Sequence, residues 1–383
     1  MANILFLLTT YPGVGGIEKV TNYIANALVE YHQVSIVSCV QIENPNMLKD
    51  LDKRIKYYPC PNHDYNHLSE ENIAFINRKV NSDQITHVVF QDSYSNFYMI
   101  LKHLVNRKSL KIIGVEHNTP LCLLKLLKPR DYGHGDIING LLNCLRRMKA
   151  FCGILKHHSR LYNLCDHYVL LSEAFINDFK QVNLYRRGKV LVINNPLTID
   201  LIPTSTGIHK KKEMLFVGRL TEQKGIEYLL EIWERFSPLI PEYRLSIMGE
   251  GEQRDIINTY ISENHLHNIS VMGYRPDLIP FYQRSQYLLM TSRFEGYPLV
   301  LAEAMAYGCV PFAFDSFDSV YDIITPDVGE IIPSFDCGEY VQKLLNVIND
   351  EARWKKMSMA GMQKARTHFS MDSVLQKWKQ LIY

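Results

Sequence analysis

At 383 residues the chain is too long for a single hydrophobic core, which stops growing at roughly 250–300 residues, so two domains are expected. Its 46% hydrophobic content is enough for two cores, and a formal charge of +2 makes no overall case for a nucleic-acid partner. The eight cysteines (Cys39, Cys60, Cys122, Cys144, Cys152, Cys165, Cys309 and Cys337) include no C-x2-C pair, which argues against a zinc site or a redox dithiol.

The apolar run Ile4–Leu8 predicts a first strand, followed by a loop through Gly13, Gly15 and Gly16. A helix follows, with Ile17, Val20, Ile24, Ala27 and Leu28 at helical spacing. Further runs at Val34–Cys39, His87–Phe90, Lys111–Val115, Tyr168–Leu171 and Val190–Ile193 predict more strands. Pro196–Lys212 is polar, contains prolines and ends in three lysines, and it reads as a linker. The pattern then restarts with a strand at Met214–Val217 and a helix at Ile226–Phe236, whose Ile226, Leu229, Leu230 and Trp233 face a core. Strands at Leu245–Met248, Ile269–Met272, Tyr287–Met290 and Val310–Phe314 complete the second half. Strands alternating with helices imply an α/β chain with two doubly wound parallel sheets, whose carboxyl-end loops would face a ligand cleft.

Ile4–Leu8 is too short for a signal-peptide core, and no stretch approaches the ~18–20 apolar residues that span a bilayer. Several cysteines lie in apolar surroundings, which suits reduced thiols. A cytoplasmic protein is expected, soluble or peripheral on the cytoplasmic membrane face. Leu121–Tyr162 mixes leucine-rich stretches with Lys125, Lys128, Arg130, Arg146, Arg147, Lys149, Lys156 and Arg160 against Asp131 and Asp136. Two readings stay open for it: an ordinary helix burying leucines beneath a basic face, or an element for a membrane surface or an anionic acceptor.

Arg219 and Lys224 follow a predicted buried strand, in a loop closed by Gly225 where the next helix begins. Two cations beside helix amides suit a diphosphate. Gly296 and Pro298 break the chain after Tyr287–Met290, placing Glu295 in a tight turn and Glu303, after seven intervening residues, on the next helix. Two carboxylates beside a helix start suit a polyhydroxylated ligand, although a helix cap and a solvated glutamate would give the same letters. His117 directly follows the strand Lys111–Val115 and is open to a structural or a ligand-contacting role. Asp50-Leu51-Asp52, the one Asp-x-Asp pair considered for a metal, reads as solvated surface rather than a strand end. The Gly13–Gly16 spacing is not G-x-G-x-x-G, which weakens any nicotinamide reading.

Four segments taken together, GGIEKV (Gly15–Val20), FVGRLTEQKG (Phe216–Gly225), MGEGEQRD (Met248–Asp255) and EGYPLVLAEAMAYG (Glu295–Gly308), resemble the family-4 retaining glycosyltransferases of GT-B fold. The resemblance covers nearly the whole chain and is strongest over residues 214–314. It implies an acceptor domain over residues 1–197, a donor domain over 198–369, and a last helix, 370–383, that crosses back onto the first. By resemblance, Arg219 and Lys224 neutralise the diphosphate of a nucleotide sugar, with UDP the favoured nucleotide. Glu303 would bind the ribose, and Glu295 and His117 the transferred sugar. Backbone at Gly15, Gly16, Gly296, Tyr297, Pro298 and Leu299 would approach sugar or phosphate, with Gly249, Gly251, Tyr274 and Arg275 near the base or ribose. The acceptor would be a saccharide or a lipid-diphosphate-linked saccharide, gripped in part by Lys125, Lys128, Arg146, Arg147 and Lys149. No cofactor or metal is implied, because fixed cations and amides can absorb the leaving-group charge. Contacts from the loop Asp315–Ile324 cannot be carried over, since DSFDSVYDII departs from the family pattern. An epimerase of the same fold and a catalytically silent nucleotide-sugar scaffold remain the rival readings.

Overall fold

The apolar runs are continuous rather than alternating, as strands covered on both faces require. In the computed structural model they form two parallel sheets. The structure describes residues 1–383 except 14, 93–94, 126, 131–132, 134–135, 200 and 202–209, so most of the expected linker lies outside the described residues. The chain divides into unit 1, Met1–Pro196 with Val374–Tyr383, and unit 2, Leu197–Ser373.

Unit 1 carries β1 (Asn3–Thr10), β2 (Gln33–Val40), β3 (Lys56–Pro59), β4 (His87–Phe90), β5 (Lys111–Glu116), β6 (His167–Leu170) and β7 (Val190–Val192) in the order β3-β2-β1-β4-β5-β6-β7. The sheet grows one way from β1 to β3 and the other way from β4 to β7, so β1 and β4 flank a topological switch point. Helix α1 (Gly16–Leu28) follows β1, the long α2 (Asp136–Leu164) follows β5, and α3 (Phe175–Val182) follows β6. The strand β3 was not expected. Its four residues offer two tyrosines between Lys56 and Pro59, and the proline is tolerated because β3 is an edge.

Unit 2 carries β8 (Lys211–Val217), β9 (Arg244–Met248), β10 (Ile269–Gly273), β11 (Ser285–Met290), β12 (Val310–Phe314) and β13 (Glu330–Ile332) in the order β10-β9-β8-β11-β12-β13. Here β8 and β11 flank the switch point. β8 starts three residues earlier than the apolar run, inside the expected linker, because Lys211 pairs with Ser285 and Glu213 with Arg244 across the sheet. Helix α4 (Ile226–Phe236) buries the expected stripe, with Trp233 fully covered and its indole donating to the His267 carbonyl at 3.2 Å. Trp233→Ala would cost about 3–5 kcal/mol. Helix α5 (Leu299–Ala306) is buried along Leu301–Ala306, so it has no solvent face for a glutamate to occupy. The last helix, α6 (Met371–Ile382), brings Lys379 3.3 Å from the Tyr31 ring centre of unit 1. No helix of the described residues is long and apolar enough to cross a membrane.

Candidate functional site

In unit 2 the loops leaving β8, β9 and β11 interlock. Gly218 N–H donates to the Met248 carbonyl at 3.0 Å, and Leu220 N–H donates to the Glu250 carbonyl at 2.8 Å. The β9 loop therefore sets the backbone on either side of Arg219. Gly249 adopts φ 148°, and a Cβ there would meet the Gly218 carbonyl oxygen at 1.8 Å. A Cβ on Gly251 would meet the Leu220 carbonyl oxygen at 2.3 Å. These glycines are thus required by the close approach of the Arg219 loop. From the other side, Thr291 donates to the Lys224 carbonyl at 3.0 Å, and Arg293 N–H donates to the Gln223 carbonyl at 2.8 Å. Gly225, in the left-handed region at φ 60°, lets this contact close, since a Cβ would lie 2.1 Å from the Thr291 carbonyl oxygen.

This interlocking brings Lys224 and Glu295 together across 71 residues of sequence, with Nζ donating to Oε1 at 2.6 Å. Ser292 Oγ donates to the same oxygen at 2.6 Å, and Glu295 is 9% exposed. An ammonium has three donors, so one contact to Glu295 does not exhaust Lys224. Arg219 is exposed, with a long 3.4 Å contact to Gln223, and adds a second positive charge at the same strand end. The Glu295 turn is braced by two serines that the sequence reading passed over: Ser316 Oγ donates to the Ser292 carbonyl and Ser319 Oγ to the Gly296 carbonyl, both at 2.5 Å. Their signal was present as hydroxyls just after a strand, but the loop DSFDSVYDII matched nothing familiar.

Glu303 is 2% exposed on α5. Thr198 Oγ1 donates to Oε1 at 2.6 Å and Tyr282 OH donates to Oε2 at 3.0 Å, which fixes the carboxylate plane. Tyr297 and Pro298 are buried, and Leu299 opens the half-exposed start of α5. Tyr274 and Arg275 stand exposed after β10, the edge strand two positions away from β8. Asp52, expected to be surface, binds Arg54, which holds its carboxyl below the usual range.

In unit 1, His117 follows β5 directly and is buried, with Nε2 2.7 Å from Gln91 Oε1. Burial pushes its pKa down to about 4, against the opposing pull of Glu116 and Asp92. A neutral imidazole that donates from Nε2 to Gln91 keeps a lone pair at Nδ1. Gln91 and Asp92 follow β4 just as His117 follows β5. The apolar run His87–Phe90 signals the strand but not these two polar residues just past its end. Asp92 accepts from Thr9 at the end of β1, and Thr9 also contacts Ser95 at 2.7 Å. The carboxyl ends of β1, β4 and β5 thus share one polar cluster. Glu116 is fully buried, receives Tyr168 OH at 2.9 Å and lies 3.2 Å from His158 Nδ1 of α2. Gly15 caps α1 and Gly16 opens it, but the space beside the loop is taken by the chain itself: a Cβ on Gly15 would meet the Glu18 carboxylate at 2.4 Å.

Of the basic segment, Arg146, Arg147 and Lys149 lie on α2, and Arg147 reaches the Leu127 carbonyl at 3.4 Å. Lys125 instead faces Asp178 of α3 at 3.2 Å, so its charge is already matched. Lys128 stands in the stretch between the two, while Asp131 lies outside the described residues.

Two parallel-sheet units, each with polar side chains collected at the carboxyl ends of the strands flanking its switch point, define a protein of GT-B class. Residues 199–364, all within unit 2, match the family model described as "Glycosyl transferases group 1". The chain is 26% identical to the amylovoran biosynthesis glycosyltransferase AmsD of Erwinia amylovora over 62% of this chain and 65% of that protein, just under two thirds of its length. It is 24% identical to an uncharacterised glycosyltransferase of Haemophilus influenzae over the full length of both. Among solved structures, Anabaena HepE in complex with UDP and glucose superposes with a TM-score of 0.74 at 14% identity, covering 100% of this chain and 99% of that one, a likeness of fold.

Proposed function

We propose that unit 2 binds a nucleotide-diphosphate sugar, with UDP as its nucleotide, and that the enzyme passes the hexose or N-acetylhexosamine with retention to an acceptor held by unit 1. The acceptor is a saccharide or a lipid-linked saccharide in surface polysaccharide synthesis. The single observation that carries this reading is the Lys224–Glu295–Ser292 cluster at the β8/β11 switch point, with Arg219 beside it.

The step breaks the bond from the anomeric carbon to the diphosphate oxygen and forms one to an acceptor oxygen on the same face of the sugar. The acceptor hydroxyl proton passes to the departing phosphate, and the nucleoside diphosphate is released. Negative charge grows on the leaving oxygen, and Arg219 and Lys224 are fixed cations that can meet it. Fixed donors of this kind are worth roughly 3–4 kcal/mol each. Lys224 joins that charge to Glu295, whose carboxylate would hold sugar hydroxyls and meet developing positive charge. Glu303, already oriented by Thr198 and Tyr282, would accept from the ribose hydroxyls. Neutral His117 would contact the transferred sugar as a hydrogen-bond partner and not as a proton acceptor. Two cations at one strand end support a route that needs no divalent metal. The name of AmsD supports a polysaccharide pathway, and the UDP in HepE supports the nucleotide.

A thermal-shift screen of UDP-, GDP- and ADP-sugars with and without EDTA tests the donor class. Stabilisation by UDP-sugars that survives EDTA is expected. Stabilisation by none of them, or only with added metal, would refute the reading. Release of UDP without acceptor would favour the epimerase instead.

A further inference from the structure

The C-terminal half of α2 is packed, with Ile154, His158, Leu161 and Tyr162 all buried. Its N-terminal half is not. Ile137 is 89% exposed, Ile138 52%, Leu141 61%, Leu145 53% and Met148 59%, and Leu155 continues the row at 38%. At 3.6 residues per turn these side chains fall on one side of the helix, and the exposed Cys144 and Cys152 lie on that same side. A run of large apolar side chains left uncovered along one stripe is unlike the scattered exposure of ordinary surfaces. The composition of Leu121–Tyr162 could not distinguish a buried leucine face from an uncovered one, and the burial pattern now does.

Cations border the stripe. Exposed Lys149 and Lys156 lie along one side and exposed Arg147 along the other. The sequence of α2 holds five cations, Arg146, Arg147, Lys149, Lys156 and Arg160, against the single acid Asp136.

We propose that this face of α2 docks on a phospholipid bilayer carrying anionic headgroups, with the stripe sunk at the headgroup–acyl boundary and the lysines and arginines against the phosphates. An interfacial helix requires a narrow apolar face, a cationic rim and a length lying in the membrane plane, and α2 with its 29 residues supplies all three. A second copy of the chain is the poorer occupant, because two such faces laid together would press cationic rims against each other. The anchored end of the helix ties the docked face to unit 1 through His158 and Glu116, next to His117. The surface thus adds a partner to the proposed transferase, but it does not depend on the donor assignments in unit 2.

The test is co-sedimentation of the full chain with vesicles of phosphatidylcholine alone and of phosphatidylcholine with phosphatidylglycerol, at low and high salt. Binding to the anionic vesicles only, weakened by salt, is expected. Leu141→Ser/Leu145→Ser/Met148→Ser should lower that partition at least tenfold, and Arg147→Glu/Lys149→Glu/Lys156→Glu should do the same, with UDP affinity unchanged in both. In a separate variant, Leu145→Trp fluorescence should shift to the blue on anionic vesicles and be quenched by brominated acyl chains. That readout keeps the proposal testable if the triple variants fold poorly. Equal partition of wild type and both triple variants would overturn the proposal, as would a tryptophan that stays in water. A dimer in light scattering that the triple serine variant converts to monomer would also overturn it and assign the stripe to a second copy. Loss of UDP binding with vesicle binding intact would count against the donor reading and leave this one standing.

Discussion

Gly249→Ala is the sharpest perturbation of the donor loops. The backbone there sits at φ 148°, which L side chains rarely adopt, and a Cβ would lie 1.8 Å from the Gly218 carbonyl oxygen. Real Cβ contacts essentially never fall below 3.0 Å, so the loop must open by at least 1.2 Å. The atom in the way is backbone, not a flexible side-chain tip, so the displacement passes into Gly218 and Arg219. Backbone strain of about 1–3 kcal/mol and overpacking of about 1–3 kcal/mol together predict a loss of roughly 2–6 kcal/mol. For a unit of this size, at about 2–4 °C per kcal/mol, that lowers the Tm by about 4–24 °C. A displacement near 1 Å in a group that meets the reacting charge costs about 100-fold in kcat/KM, and UDP affinity should fall by at least ten times. Calorimetry and UDP titration measure both. Gly153→Ala on α2 is the control: nothing lies within 4 Å of its Cβ, so a gain of about 0.5–1 kcal/mol is expected. A Gly249→Ala protein with wild-type Tm and UDP affinity would refute the claim that this glycine sets the Arg219 loop.

Lys224→Met should lower kcat/KM by about 100–1000-fold in an acceptor assay, while Glu295→Gln, which keeps the Ser292 hydrogen bond, should retain the fold yet lose most of the turnover; normal rates in both would remove these residues from the site. His117 takes up a proton near 6.5 when unfolded but only near 4 when folded, so its share of stability is complete above about pH 6.5 and is lost as the pH falls towards 4; His117→Gln should flatten that slope in denaturant titrations. Gln91→Glu sets a carboxylate against His117 Nε2 and should move the acid limb of kcat/KM up by about 1–3 pH units; an unmoved limb would deny Gln91 any hold on the imidazole. Tyr282→Phe removes one donor from buried Glu303 and should cost about 1–3 kcal/mol while weakening uridine and UDP alike; weakening of UDP with uridine unaffected would contradict a ribose role for Glu303.

Much of the fold was legible because its strands are buried on both faces. His87–Phe90, Ile226–Phe236 and Val310–Phe314 have the boundaries that their apolar letters suggested. The edges were not legible. β3 is half tyrosine, and β13 is three residues long and opens with Glu330, which pairs with Lys343 at 3.2 Å rather than facing water. Lysines hid the start of β8, because strand pairing and not hydrophobicity holds Lys211 in the sheet. The site residues were nominated from motifs and strand ends, yet no local pattern could show that Lys224 and Glu295 touch, since β8 and β11 become neighbours only when the sheet is wound. The same holds for Glu303, whose place on the buried Leu301–Ala306 stretch rests on Tyr282 and Thr198, and for Ser316 and Ser319, which brace the Glu295 turn from a loop with no familiar pattern. Composition found the cations of α2. Only the packing of its far end showed which leucines had been left without a partner.

The account rests on Arg219, Lys224 and Glu303 holding a nucleotide diphosphate in unit 2. A crystal structure of the enzyme soaked with UDP in the presence of EDTA tests this most directly. The account predicts diphosphate oxygens within hydrogen-bond distance of Arg219 and Lys224 and the ribose hydroxyls on Glu303. UDP bound against other residues, or no UDP at saturating concentration, would contradict it.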